Sequence, residues 1–396
     1  FYNTGDLKKF DEYSIAWVAD STSRVDFVNG FIETYGDPLG LKASWESIVN
    51  FKNLEATKRT EVLSDNAQWF EDNSPVDARF KKKECKGVTA KVITTAILAG
   101  DCYPATPIGI NLPNANWIRE TYGSKSVTIE NITYAYDQAA KGNGFKEEFV
   151  DCDADREMIE KYGYITDNIH TDLHECLGHG SGQLLPGVSQ DALKAYGATV
   201  EEARADLFGL YYSADPKMVE LGLLPTEDAY KAEYYTYLMN GLMTQLVRIN
   251  LGDQIEEAHM RNRALIAHWV YEKGAADKVV ELEKRDGKTY VRINDYKKLR
   301  TLFGDLLAEI QRIKSEGDFE AARKLVENYG VNIDPELHKE VKERYAKLNI
   351  SPYKGFINPT YQLVEKDGKV VDVKVDYKEG YAEQMLRYSK MNNNVE

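Results

Sequence analysis

The 396-residue chain has little cysteine and no long apolar run. Its cysteines are far apart and form no CxxC pair, so the sequence predicts neither a disulfide scaffold nor a structural zinc knuckle. Such cysteine usage fits a reducing compartment, and we expect a cytoplasmic protein. No stretch approaches the roughly 18 apolar residues that a membrane span needs, and no signal-like leader opens the chain. We therefore expect no membrane partner. The cysteines are Cys85, Cys102, Cys152 and Cys176.

Basic residues are also in deficit, with 50 Lys and Arg against 64 Asp and Glu and a net charge of -14. Proteins that bind nucleic-acid backbones present an excess of Lys and Arg, so we expect no nucleic-acid partner. The composition, 43% hydrophobic and 29% charged, is that of a globular protein. The length allows two or three domains.

The pattern changes along the chain in a way that predicts an α+β fold. Residues 1–53 contain aromatic-rich, strand-like pieces with Gly and Pro turns, and residues 54–84 show helical spacing. Residues 85–140 are rich in β-branched residues, whereas residues 142–350 are mostly helical, interrupted by an Asp-Gly hairpin. A second Asp-Gly hairpin precedes a short helix near 379–391. We expect a helical lobe, β-containing segments at both ends, and a cleft between two lobes.

The segment HECLGH contains the most specific chemical signal. His174 and His179 are five residues apart, and on a regular helix positions i and i+5 lie roughly 140° apart, against roughly 40° for i and i+4. A π-type bulge would return His179 to the face of His174, and such bulges are frequent at functional sites. Gly178 is the residue that best absorbs the distortion. The motif therefore predicts a metal site on a distorted helix end.

Other interpretations of the histidines remain open at this point. Two imidazoles near a helix C-terminus also interact favourably with the helix dipole. Glu175, directly after His174, favours a metal site because a general base would lie there. His170 is a rival ligand at helical spacing, but the Glu follows His174 and not His170. Cys176 needs no role as nucleophile where a metal activates water.

A second helix must supply the third ligand, and EEARAD places three acidic residues at the head of one. A catalytic zinc typically has two His and one carboxylate ligand. Thr199-Val200-Glu201-Glu202 also has the form of a capping box, in which Glu202 would bond to the backbone of Thr199. In the metal interpretation, Glu201 and Asp206 accept the outward ring N–H groups of the histidines.

HECLGH followed by EEARAD resembles the paired signature HExxGH and EExRA[ED] of the dipeptidyl peptidase III family of zinc metallopeptidases. The segments GFIETYGDP, PIGINLPN, HGSGQL and AHMRNR are similar to further segments of that family, so the resemblance spans essentially the whole chain. The departures are Cys176 inside the first motif and Asp206 where many members have Glu.

The resemblance implies a site residue by residue. It implies one zinc ion per chain, held by His174, His179 and Glu202, with Glu175 as general base and Glu201 and Asp206 supporting the histidines. Further residues would bind the peptide: the substrate amine is assigned to Glu33, Asn111 and Asn114, the scissile carbonyl to Tyr35 and His259, and another part of the substrate to Arg263.

The implied activity is release of dipeptides from the free N-terminus of short peptides. Two alternatives are a zinc endopeptidase and a peptide-binding fragment with weak catalysis. Members of the family are larger, so we expect an incomplete lower lobe and reduced activity; the oligomeric state is left open. The implied lower lobe consists of residues 1–55, 95–141 and 351–396, and the upper lobe of residues 56–94 and 142–350.

Overall fold

The computed structural model describes residues 3–33, 43–85, 91–103, 106–350 and 356–392. The chain forms two compact units, each built from separate segments. Unit 1 comprises Phe1–Thr57, Lys91–Ala139 and Tyr353–Glu396, and unit 2 comprises Lys58–Ala90 and Ala140–Pro352. Among the described residues, no helix has both the length and the hydropathy to cross a bilayer.

Along the chain, the described residues fold into a series of helices and short strands. They are α1 (Leu7–Ala19), β1 (Val25–Glu33), β2 (Ser44–Lys52), α2 (Leu54–Asp65), α3 (Ala67–Asp72), β3 (Lys91–Gly100), β4 (Gly109–Leu112), α4 (Asn116–Tyr122), β5 (Lys125–Ile129), α5 (Glu130–Ala140), α6 (Phe145–Phe149), α7 (Asp153–Leu173), α8 (Gly197–Ser213), α9 (Lys217–Glu220), α10 (Tyr230–Leu242), α11 (Ala258–Lys273), β6 (Val280–Arg285), β7 (Lys288–Ile293), α12 (Tyr296–Glu316), α13 (Phe319–Tyr329), α14 (Pro335–Lys347), β8 (Thr360–Lys366), β9 (Lys369–Asp376) and α15 (Tyr381–Asn392).

Unit 1 is organised around a five-stranded sheet in the order β1-β2-β3-β5-β4. The β1/β2, β2/β3 and β4/β5 pairs are antiparallel, whereas β3 and β5 are parallel and pair Ile93 with Ile129. Val28 of β1 lies opposite Ile48 of β2, and both side chains are buried in the core of this unit. Trp17 of α1 joins the same core.

Unit 2 is mainly helical, with α8 at its centre. Helix α8 packs against α7, α11 and α12, and most side chains from Thr199 to Ser213 are buried. A helix buried on nearly all sides is typical of the interior of a large domain. Phe208 and Tyr212 of α8 belong to a core that also includes Phe70 of α3. The polar side chains of α8 therefore lie in a desolvated interior and need partners there.

The structure confirms the α+β class and both Asp-Gly hairpins. In the β6/β7 turn, Asp286 and Gly287 have φ values of 51° and 76°, the left-handed conformation that a type I′ turn requires. The strand-like interpretation of residues 1–53 was wrong for Leu7–Ala19, which form α1 after the N-cap Asp6. Residues Glu130–Ala140, assigned to a β/loop segment, also form a helix.

Candidate metal centre

The first motif lies where α7 loses its regular geometry. His174–Gly178 form a π-helical turn directly after α7, and the backbone N–H of His179 donates to the carbonyl of His174 at 3.1 Å. That hydrogen bond spans five residues, so the predicted bulge is confirmed. The rings of His174 and His179 have their centroids 4.6 Å apart and are nearly perpendicular, at 89°. The extra residue therefore brings the two imidazoles together.

Gly178 allows the π turn to approach α8 closely. A Cβ atom at this position would lie 2.9 Å from Cα and 3.0 Å from Cβ of Ala205. Real Cβ atoms are essentially never found below 3.0 Å from such neighbours. Glycine is needed at this position for the close approach of two backbones.

The second motif lies on the first turns of α8 and faces the π turn. Oε2 of Glu202 is 3.3 Å from Nε2 of His174 and 4.0 Å from Nε2 of His179. The three ligand atoms of this group all lie within 4.8 Å of one another. A tetrahedral ion with bonds of about 2.0–2.1 Å holds its ligand atoms roughly 3.3–3.5 Å apart. The observed separations fit such an ion with small side-chain adjustments.

One oxygen of the Glu202 carboxylate is buried beside the two histidines. This Oε2 atom accepts no hydrogen bond from the described part of the chain. Burial alone would raise the pKa of Glu202, but the adjacent His174 and His179 outweigh burial and lower the pKa. Buried charges are paired or coordinate a metal ion, so the Glu202 oxygen either pairs with the His174 imidazolium or, with the imidazoles neutral, joins them as a ligand of a cation. Two imidazoles and one carboxylate form the donor set of helix-borne zinc peptidase sites.

The capping-box alternative for Glu202 does not hold. Helix α8 begins at Gly197, after Tyr196, so Thr199 lies inside the helix and not at its N-cap. The Glu202 carboxylate is directed at the histidines and not back at the start of the helix.

Each candidate ligand histidine is held from behind by an acidic residue of α8. Nδ1 of His174 lies 2.7 Å from Oδ1 of Asp206, and Nδ1 of His179 lies 2.9 Å from Oε1 of Glu201. These bonds fix the ring orientation and leave both Nε2 atoms directed at Glu202. Burial disfavours the imidazolium form of His174, but Asp206 and Glu202 outweigh burial and hold the His174 pKa well above its usual value.

His170, the rival ligand, lies deeper in the same network. Its Nε2 is 3.2 Å from Oδ1 of Asp206, and its Nδ1 is 3.1 Å from Oε1 of Glu233. His170, His174 and Asp206 therefore form a second group with metal-ligand spacing. In that group the 2.7 Å contact between His174 and Asp206 is already a short hydrogen bond, and Tyr237 donates to the other Asp206 oxygen at 2.7 Å. Both oxygens of Asp206 are therefore already engaged, which favours His174, His179 and Glu202 as the candidate ion site.

Three further predicted residues lie in unit 2. Glu175 is partly buried in the π turn, next to His174. His259, in the first turn of α11, has its Nε2 3.6 Å from Oε2 of Glu202, and its side chain is 59% exposed. Arg263 lies one turn farther along α11, with Nη1 3.5 Å from Oε1 of Gln245. The structure thus brings His259 to the candidate metal ligands.

Three of the remaining predicted residues belong to unit 1. Asn111 accepts a hydrogen bond from Arg119 at 3.1 Å, and Asn114 donates to the carbonyl of Ile32 at 3.2 Å. Glu33 is the last residue of β1. Tyr35 lies outside the described residues.

Sequence reasoning missed four residues that complete the network. Arg204 had a local signal, because it lies three residues after Glu201 on one helix face. The others come from distant segments and had no such signal. The four are Arg204, Glu233, Tyr237 and Lys314.

Comparison with known proteins decides the family. The model of peptidase family M49 matches residues 1–194 and 187–386 of the chain. The chain belongs to peptidase family M49. The fold of this M49 chain is similar to "Structure of DPP III from Caldithrix abyssi", with a TM-score of 0.72, 24% identity, and coverage of 87% of this chain and 63% of the other.

Two curated relatives have the same sequence identity to this chain, 27%. "Dipeptidyl peptidase 3" of Dictyostelium discoideum is 27% identical over 365 residues, which cover 79% of the M49 chain and 50% of the relative. "Nudix hydrolase 3" of Arabidopsis thaliana is also 27% identical over 365 residues, covering 90% of the M49 chain and 44% of the relative. The chain spans about half the length of the curated relatives it matches.

Proposed function

We propose that this chain is a zinc-dependent exopeptidase that releases dipeptides from the free N-terminus of short peptides. The observation that carries the proposal is that His174, His179 and Glu202 bring their ligand atoms together at one point. The Glu202 oxygen at that point is buried and accepts no hydrogen bond from the described residues. Membership of peptidase family M49 and the curated relatives named dipeptidyl peptidase 3 support the same activity.

In the proposed chemistry, His174, His179 and Glu202 hold the ion. A bound zinc ion supplies Lewis acidity, which lowers the pKa of a water molecule towards about 7 and polarises a carbonyl group. Asp206 and Glu201 keep the two histidines in the tautomer that presents Nε2.

Glu175 is the general base in this proposal. Its carboxylate takes a proton from the attacking water as the new C–O bond forms. The same carboxyl group then returns the proton to the leaving amine as the C–N bond breaks, so the proton balance closes on one residue. A general acid–base group of this kind contributes about 10²- to 10⁴-fold to the rate.

His259 would stabilise charge that develops on the scissile carbonyl oxygen. It is anchored by a 2.7 Å contact from its Nδ1 to Glu257, which leaves Nε2 on the side of Glu202. Glu257 is the largest cause of a raised His259 pKa, so Nε2 is favoured as a donor. The roles of Glu33, Tyr35, Asn111, Asn114 and Arg263 are those that the family resemblance implies.

Zinc analysis followed by peptide digestion tests the proposal. We expect the wild-type chain and Glu175→Gln to contain one zinc per chain by atomic emission, and only the wild type to release dipeptides detected by mass spectrometry. Acetylation of the peptide N-terminus should abolish cleavage. Cleavage of the acetylated peptide would indicate an endopeptidase, and peptide binding without cleavage would indicate a binding fragment. Absence of zinc from the wild type would refute the proposal.

A further inference from the structure

Arg204 is fully buried in the middle of unit 2. Its side chain is 0% exposed, on the helix that carries Glu201, Glu202 and Asp206. Burying a guanidinium group is costly unless its charge is paired and its N–H groups are bonded. The contacts of Arg204 therefore show what keeps it there.

All five N–H donors of Arg204 have an acceptor. Nε donates to Oε2 of Glu201 at 3.0 Å, and Nη2 donates to Oε1 of the same residue at 2.7 Å. Nη1 donates to the carbonyl and the hydroxyl of Ser181 at 3.0 and 2.6 Å. Nη2 also donates to the carbonyl of His179 at 3.3 Å. A guanidinium group has five donors in a fixed planar arrangement, so this set is complete.

These acceptors belong to the two partners of one hydrogen bond, the bond between the His179 ring and Glu201. Glu201 is the side-chain partner of His179 Nδ1, while the carbonyls of His179 and Ser181 belong to the backbone that carries the same histidine. The Ser181 hydroxyl in turn donates to the carbonyl of Gly178, at the end of the π turn. The Arg204 guanidinium thus binds both the backbone that carries His179 and Glu201, the acceptor of the His179 ring N–H. It holds these two groups at a fixed distance from each other.

Arg204 also holds that acceptor in place. Its Nε and Nη2 bind the two carboxylate oxygens of Glu201, and Nζ of Lys314 contacts Oε2 of the same carboxylate. Oε1 is thus shared between Arg204 and the ring of His179. A carboxylate acceptor fixed in this way orients a ligand imidazole.

We propose that Arg204 is a positioning residue of the metal centre, which fixes His179 through Glu201 and the backbone after the π turn and thereby sets zinc affinity. The inference rests on the proposed function above. Lysine cannot replace it, because an ammonium group has three donors and no planar fork.

Arg344 provides a matched control. It is also a buried arginine of unit 2, 3% exposed, and it binds Glu148, Thr289 and Glu340. None of these acceptors is a ligand or a support of the metal centre. Arg344→Lys therefore reports what loss of a buried guanidinium does to stability alone.

The test compares wild type, Arg204→Lys and Arg344→Lys. Thermal unfolding gives the midpoint of each metal-free protein. Competition with a chromophoric chelator gives the zinc dissociation constant of each protein. We expect both substitutions to lower the midpoint, whereas only Arg204→Lys weakens zinc binding, by about 10- to 100-fold.

Ser181→Ala keeps the test decisive if Arg204→Lys does not fold. It removes one acceptor of Arg204 and leaves the Glu201 contacts, so we expect about fivefold weaker zinc binding. Wild-type zinc affinity in the folded variants would overturn the inference and leave the proposed function intact. A wild-type chain that binds no zinc would overturn both.

Discussion

Replacement of Gly178 by alanine tests whether the π turn and α8 are packed as closely as the structure indicates. The new Cβ would lie 2.9 Å from Cα and 3.0 Å from both Cβ and the carbonyl oxygen of Ala205, where ordinary contacts begin at 3.4 Å. Two of these three atoms are backbone atoms of α8, which α7, α11 and α12 hold in place. Relieving the closest contact requires a displacement of about 0.5 Å, and this displacement must therefore come from the π turn.

The expected cost follows from that geometry. Inserting a methyl group into a packed interior typically costs about 1–3 kcal/mol. For a unit of this size, each kcal/mol lowers the melting temperature by about 2–4 °C. Because His179 directly follows Gly178, we also expect weaker zinc binding, since moving a ligand disturbs the ion's coordination geometry.

Gly163→Ala is the control, because Gly163 lies on the preceding helix α7. Its added Cβ would meet only Cγ2 of Ile159, at 3.5 Å, which is ordinary contact. We expect the free energy of unfolding of this variant to rise by about 0.4–1 kcal/mol, because alanine restricts the unfolded chain. We expect its zinc affinity to equal that of the wild type. Denaturant unfolding and chelator competition measure both quantities. If Gly178→Ala were as stable as Gly163→Ala and bound zinc as tightly, the inference that the π turn packs too closely against α8 to admit a Cβ atom would be refuted.

Two further variants examine the network and the fold. Asp206→Asn removes the ionised acceptor of His174 Nδ1, so we expect zinc affinity to fall by about 10- to 100-fold in chelator competition, and an unchanged affinity would contradict the supporting role. Glu148→Gln probes the pH dependence of stability: burial raises the Glu148 pKa, but Lys288 and Arg344 outweigh burial and lower it below its unfolded value. Its contribution is therefore present above about pH 4.5 and is lost as the pH falls through the folded pKa. Urea unfolding at several pH values should show a gap between wild type and variant that closes in acid, and a constant gap would refute this.

The sequence allowed the arrangement of the two candidate ligand histidines to be predicted because their spacing has a direct geometric meaning. Histidines five residues apart cannot meet on a regular helix, so the motif required either a distortion or no site. The π turn at His174–Gly178 resolves that alternative. The aromatic content of Leu7–Ala19 had no such unambiguous meaning, and the helix there follows from Asp6 capping and from packing of Trp17.

The choice between a cap and a ligand for Glu202 could not be made from local sequence. Thr-Val-Glu-Glu has the same letters whether a helix begins at Thr199 or earlier. In the structure a 3₁₀ turn at Lys194–Tyr196 leads into α8 at Gly197, which turns Thr199 into a buried interior residue. The start of the helix is thus set by the preceding turn and by burial, neither of which the motif contains.

The deeper network shows why the rest of the site needed a structure. Lys314 contacts Glu201 across 113 residues of chain, and Tyr237 reaches Asp206 across 31. These contacts depend on the rotation of α8 relative to α10 and α12, which packing of apolar side chains determines. Polar groups on a buried helix must then find partners wherever that packing places them. Because the pairings that burial requires also keep Glu201 and Asp206 ionised beside the histidines, the apolar core around α8 determines the electrostatics of the candidate metal centre.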